Sequence, residues 1–220
     1  MFTKKRIYKG IDYMFNLNLL KKEFLQGKSG LKSIWVIVLV LIFLENKLTT
    51  EGVYFYIIFS SVYIFSYTSD AMDNIYKGNY IINSLPVNRH EVVISKYLNR
   101  VLITFIFTIL CQVISYILKG FEVNPLNFKV AISIIVFITL INSINYLVYF
   151  LANPKVSQIT TRILYPGIFG GCFGFLSESS QLSISCIINF FTNYLIILLV
   201  VIIFIISMSV SLILYPNRDL

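Results

Sequence analysis

Charge is scarce in this chain, and acidic charge scarcest. Of 220 residues only 13% are Asp, Glu, Lys or Arg, and ten of those are acidic. There is one histidine, His90, and there are three cysteines, Cys111, Cys172 and Cys186, with no Cys-x-x-Cys spacing among them. An odd, scattered set of thiols beside a lone imidazole gives neither a disulfide framework nor a metal site, so the cysteines read as small apolar packing residues. The basic start, Met1 to Arg6, is followed by no continuous apolar stretch, and a cleaved signal peptide is not expected. No stretch lacking apolar runs is long enough to bury a core of its own, so the chain reads as a single domain over residues 1–220.

What the chain has instead is apolar surface. Hydrophobic residues make up 57% of it, more than a soluble domain of this size can hide. A spanning helix needs about 20 apolar residues. Val101–Leu118, Val130–Leu151 and Phe190–Tyr215 fit best, and Val53–Ser69 is a fourth. Ser33–Leu44 and Ile163–Leu176 are shorter; the latter carries Pro166, Gly167, Gly170, Gly171 and Gly174, which suit a kinked span or a re-entrant segment, the small residues permitting close helix packing. The fold class expected is therefore all-α: a polytopic membrane protein of about six spans. An amphipathic helix precedes them, with Leu17, Leu20 and Phe24 on one face and Lys21, Lys22 and Glu23 beside it, the lysines reaching to water. It belongs to a cytoplasmic segment, residues 1–32.

Charge placement fixes the expected orientation. With six spans and an inside N-terminus, 15 of the 18 lysines and arginines fall on the inner side, Lys77, Arg89, Lys96 and Arg100 among them; only Lys47, Lys119 and Lys129 fall outside. That bias places both termini of a multi-pass cell-membrane protein in the cytoplasm. The formal charge of +8 is thus assigned to topology and to membrane lipids, not to nucleic acid. No Asp, Glu, Lys or Arg lies mid-span, which disfavours ion-coupled transport, and with a lone His90 and no carboxylate cluster at membrane depth intramembrane hydrolysis is disfavoured too. Two polar pairs share helix faces within spans, Gln112 with Ser115 and Asn142 with Asn145. They either line a path or hydrogen-bond between helices.

The inner loop expected at residues 70–91 is the most specific local sequence. Asp73-Asn74-Ile75-Tyr76-Lys77 offers a short helical piece. After Ser84-Leu85-Pro86-Val87, Asn88 and Glu91 form a capping-box variant that starts a helix running into the third span. Gly27-Lys28-Ser29 is no nucleotide loop: Lys22 stands where the phosphate-binding pattern needs glycine, and no strand precedes it. The run breaks the chain between the amphipathic helix and the first span.

Leu85-Pro86-Val87, a small polar residue, Arg89-His90-Glu91, a β-branched pair and Lys96-Tyr97 between spans two and three resemble the ABC-2 type permease family. The six-span layout and Leu19-Leu20-Lys21-Lys22-Glu23-Phe24 before the first span share the likeness. The family often has Ser or Thr at the position of Asn88, which caps equally well. The resemblance implies the membrane half of an ATP-driven exporter, without enzymatic activity or cofactor of its own, ATP being bound by a separate ATPase subunit. It implies a second permease chain, as homo- or heterodimer. Asp73, Asn74, Tyr76, Leu85, Pro86, Asn88, Arg89, His90 and Glu91 would then form the coupling region seated in the ATPase. Compact exporters of amphipathic peptides, including phenol-soluble modulins, are similar in size. The alternative is a non-transporting membrane immunity or regulatory protein.

Topology is directly testable. Cysteines introduced near Glu122 and Glu178 should react with an impermeant maleimide in intact cells, and one at Lys77 should not. Strong labelling at Lys77 from outside would overturn the inside-N-terminus arrangement.

Overall fold

A computed structural model describes residues 17–33, 50–76, 88–118, 124–152, 154–176 and 188–215. The described residues are helical, with no strand among them. The main helices are α1 (Leu17–Lys28), α2 (Thr50–Ile75), α3 (Arg89–Leu118), α4 (Phe128–Leu151), α5 (Pro154–Leu176) and α6 (Tyr194–Leu214). Three of them, α4, α6 and Arg89–Ile117 of α3, are long and apolar enough to cross a membrane. The expected first span, Ser33–Leu44, lies outside the described residues.

Asparagine starts three of these helices. Asn88, Asn127 and Asn193 each accept a hydrogen bond at the side-chain oxygen from the backbone N–H two residues on. That satisfies a donor the helix itself cannot use. Within the helices, hydroxyls of Ser61, Thr104, Thr108, Thr139 and Ser143 donate to carbonyls of the preceding turn. This is how a hydroxyl is satisfied where no water reaches.

Burial runs opposite to that of a water-soluble protein. On α6 the buried residues are Val200, Ser207 and Ser211, whereas Leu195, Leu198, Leu199, Ile202, Ile205 and Ile206 face outward. Along α3, Leu102, Phe105, Ile106, Ile109, Leu110 and Val113 are exposed while Thr104 and Thr108 are buried. So broad an apolar exterior around small polar contacts is stable only in lipid. Two clusters form the interior. One joins Phe59, Val62 and Phe65 of α2 to Ile103 of α3, Ile134 and Ile138 of α4 and Tyr165 of α5. The other packs Val93 and Tyr97 of α3 with Tyr146, Tyr149 and Phe150 of α4 and Tyr215 after α6.

Four expectations need correction. First, α2 does not stop at Ser69: it continues as one helix to Ile75, taking in Asp70 and the Asp73-Asn74-Ile75 part of the expected separate piece. The polar side chains of its last turns find partners on α1 and α3, so the helix need not end where its apolar run does. Second, α1 turns Glu23 and Gly27 inward and exposes Phe24, reversing part of the expected face; Lys22, half-buried, pairs with Asp73. Third, Gly167, Gly170 and Gly171 on α5 have no neighbour within 4 Å of where a Cβ would sit, because α5 packs through Thr161 and Tyr165 instead. Fourth, Lys96 and Arg100, assigned with the other inner-side cations to topology and lipid contact, are buried, since carboxylates of α1 and α2 enclose them.

Close glycine contact does occur elsewhere, between α1 and α2. A Cβ at Gly27 would overlap the Phe65 ring, and one at Gly30 would come within 2.7 Å of the Thr68 side chain. The Thr68 hydroxyl lies 3.3 Å from the Gly27 carbonyl oxygen. Gly27→Ala should therefore cost about 1–3 kcal/mol by overpacking. In detergent-solubilised protein it should speed tryptic cleavage at Lys28, and Phe65→Leu added to it should restore part of the resistance. Unchanged cleavage would mean that α1 is not seated on α2.

Candidate functional site: a buried ion cluster joining three helices

The end of α2 and the start of α3 run antiparallel beside α1, and their polar faces converge. Asp70 and Asp73 stand three apart on α2, and Lys96 and Arg100 four apart on α3, so each pair shares a helix face. The Lys96 ammonium lies 2.7 Å from Asp73 Oδ2, 3.2 Å from Glu23 Oε1 and 3.7 Å from Asp70 Oδ1. Arg100 Nη2 donates to Asp70 Oδ2 at 2.8 Å and to the Ser66 carbonyl at 3.0 Å. From α1, Lys22 reaches Asp73 Oδ1 at 2.5 Å and Gln26 Nε2 donates to the same oxygen at 3.0 Å. Ser69 donates to Glu23 Oε2 at 2.6 Å.

Three carboxylates meet three cations here, so the fully ionised cluster is neutral. Lys96, Arg100, Asp73 and Glu23 are each at most 3% exposed, a depth at which any unmatched charge is costly. Aromatic groups complete the shell. The Lys96 ammonium sits 4.9 Å from the Tyr149 ring centroid, Arg100 lies over the Tyr146 ring, and Arg100 Nε donates to the Tyr146 hydroxyl. One residue from Lys96, the Tyr97 hydroxyl lies 2.7 Å from Ser207 Oγ and 3.0 Å from Ser211 Oγ; Ser207 in turn donates to the Ser143 carbonyl. Polar contacts thus run from α1 through α2 and α3 to α4 and α6.

The residues singled out from sequence separate into distinct places. Asp73 is buried at the centre of the cluster and faces the chain's own cations. Tyr76, one turn on, is 65% exposed, and Asn88 and His90 are exposed at the start of α3, with Arg89 and Glu91 half-buried beside them. Asn74 lies in the last turn of α2, its side chain outside the described residues, as are Leu85 and Pro86. The two polar pairs within the spans serve separate contacts. The Ser115 hydroxyl accepts from Leu126 N–H and donates to the Gln112 carbonyl near the far end of α3. Asn142 Oδ1 accepts from the Tyr165 hydroxyl, and Asn145 Oδ1 from Thr161, tying α4 to α5.

Glu23, Asp70, Lys96 and Arg100 carry the cluster, yet nothing in their immediate sequence marks them as buried. The signal available was relational: an acid pair ending one helix and a basic pair of matching spacing opening the next.

A bundle of apolar-surfaced helices held by internal polar contacts is a helical membrane protein. A family model described as "ABC-2 family transporter protein" matches residues 18–216. The chain belongs to that family of transport permeases. No curated protein and no solved structure matched it.

Removing one member of the cluster leaves its partner buried and unpaired. Arg100→Met should lower stability by about 3–5 kcal/mol, read as loss of thermal stability in detergent. Removing both charges, in Asp70→Leu with Arg100→Met, should recover a substantial part. A double variant no better than the single would show that the two charges do not stabilise each other.

Proposed function

We propose that the chain is the permease subunit of an ATP-driven exporter that moves amphipathic peptides or other hydrophobic compounds out of the cell. It works as two permease chains with a separate ATPase subunit, lies in the cell membrane with six spans and both termini inside, and performs no chemistry itself. ATP closure of the partner is converted into movement of its helices.

Family membership supports the transport reading. The placement of the ion cluster supports coupling to a partner at this end of the bundle. A partner can drive a span only through something that does not yield, and α1, α2 and α3 are locked together immediately before the exposed Tyr76 and immediately after the exposed Asn88 and His90. The ends of α2 and α3 are therefore the surface that receives the ATPase, and the cluster behind them carries its motion to α4 and α6. Asp73 acts in this unit by holding helices, not by touching the partner.

The two roles separate by mutation. Tyr76→Ala and His90→Glu should leave membrane abundance and thermal stability near those of the parent while reducing ATPase co-purification and export. Asp73→Asn should lower stability first. If both exposed-residue variants assemble and export like the parent, this end of the bundle does not receive the ATPase.

A further inference from the structure

Between α1 and α3 lies an open groove of about 220 Å³, lined by Leu20, Lys21, Phe24, Asn99, Leu102 and Ile106. Its walls are almost wholly apolar. Its volume falls below the ~300 Å³ at which pockets for compact solutes begin, and an open apolar groove of that size takes a segment of one hydrocarbon chain, the remainder staying among the bulk lipid. The charge around it has one sign. On α1 the exposed charged residues are basic, Lys21 at the groove and Lys28 further along, while the one acid of that helix, Glu23, is turned into the ion cluster. Exposed Phe24 and Leu25 stand beside these lysines, the pairing of apolar and basic groups that settles a helix at a headgroup layer.

We propose that this groove is a binding site for an anionic phospholipid, one acyl chain lying against Leu102 and Ile106 and the phosphate paired with Lys21. Its setting at the inner leaflet rests on the orientation proposed above; the recognition chemistry does not. Bound there, the lipid fills the space between α1 and α3 on the side away from the ion cluster and holds α1 to the bundle from its membrane face.

Native mass spectrometry of the full chain in detergent, with phosphatidylglycerol or phosphatidylcholine added, tests the site without reference to leaflet. The parent should retain phosphatidylglycerol in preference. Lys21→Met keeps the apolar stem and removes the charge, so phosphatidylglycerol retention should fall about fivefold and phosphatidylcholine retention should not change. Ile106→Trp fills the groove and should reduce both lipids, with helical content unchanged by circular dichroism. Equal retention of the two lipids by the parent, or retention unaffected by either variant, would overturn the proposal. So would loss of a dimer mass with Ile106→Trp, which would assign the groove to a second copy of the chain. None of these results bears on the topology, which cysteine labelling decides.

Discussion

Lys96 is the point on which the arrangement turns. It is fully buried, and it reaches carboxylates on two other helices, Glu23 of α1 and both Asp70 and Asp73 of α2. In lipid, apolar side chains do not drive helices together, since the tails are as apolar as they are. Specific association has to come from close packing and internal polar contacts. Here a neutral set of three acids and three bases supplies the contacts, and Gly27 and Gly30 supply the close approach of α1 to α2. Buried ion pairs are weak evidence for net stability, because desolvation offsets much of the attraction. What they impose is geometry: one arrangement of α1, α2 and α3 matches all six charges, and displacements from it strand one of them.

Function follows from where that constraint sits. The cluster lies at the ends of α2 and α3, just behind the residues proposed to meet the ATPase, and Tyr97 and Tyr146 extend it to α4 and α6. Beyond it the polar contacts carry no charge: hydroxyl–amide bonds from α4 to α5, and serines on an otherwise lipid-facing α6. An ion-paired end joined to spans held by neutral hydrogen bonds and packing suits the proposed role, in which one end receives force from a partner.

The helical class and the cores of the apolar helices were legible because hydropathy reports the solvent directly. The family was legible from a short motif around Pro86 and Glu91 and from the layout of the runs. The site was less so. Lys96 and Arg100 stand just outside an apolar run, where charge is usually topology, and Asp73 falls in an expected loop whose sequence points to a partner. Their burial depends on α1 returning to cover them with Lys22 and Glu23, a long-range contact that no local pattern encodes. The glycines of α5 misled in the opposite sense, since small residues permit close packing without requiring it. Asn142 and Asn145 bond Tyr165 and Thr161 on α5, partners that spacing along one helix does not specify.

The central claim is that α1, α2 and α3 form one rigid unit held by the ion cluster. The most direct measurement is the distance distribution between spin labels at Leu25 on α1 and Ile109 on α3, with the native cysteines replaced. The account predicts a narrow distribution in the parent that broadens in Lys96→Met while the distribution between labels at Ile109 and Ile144, on α3 and α4, stays narrow. A distribution already broad in the parent, or one that Lys96→Met leaves unchanged, would contradict it.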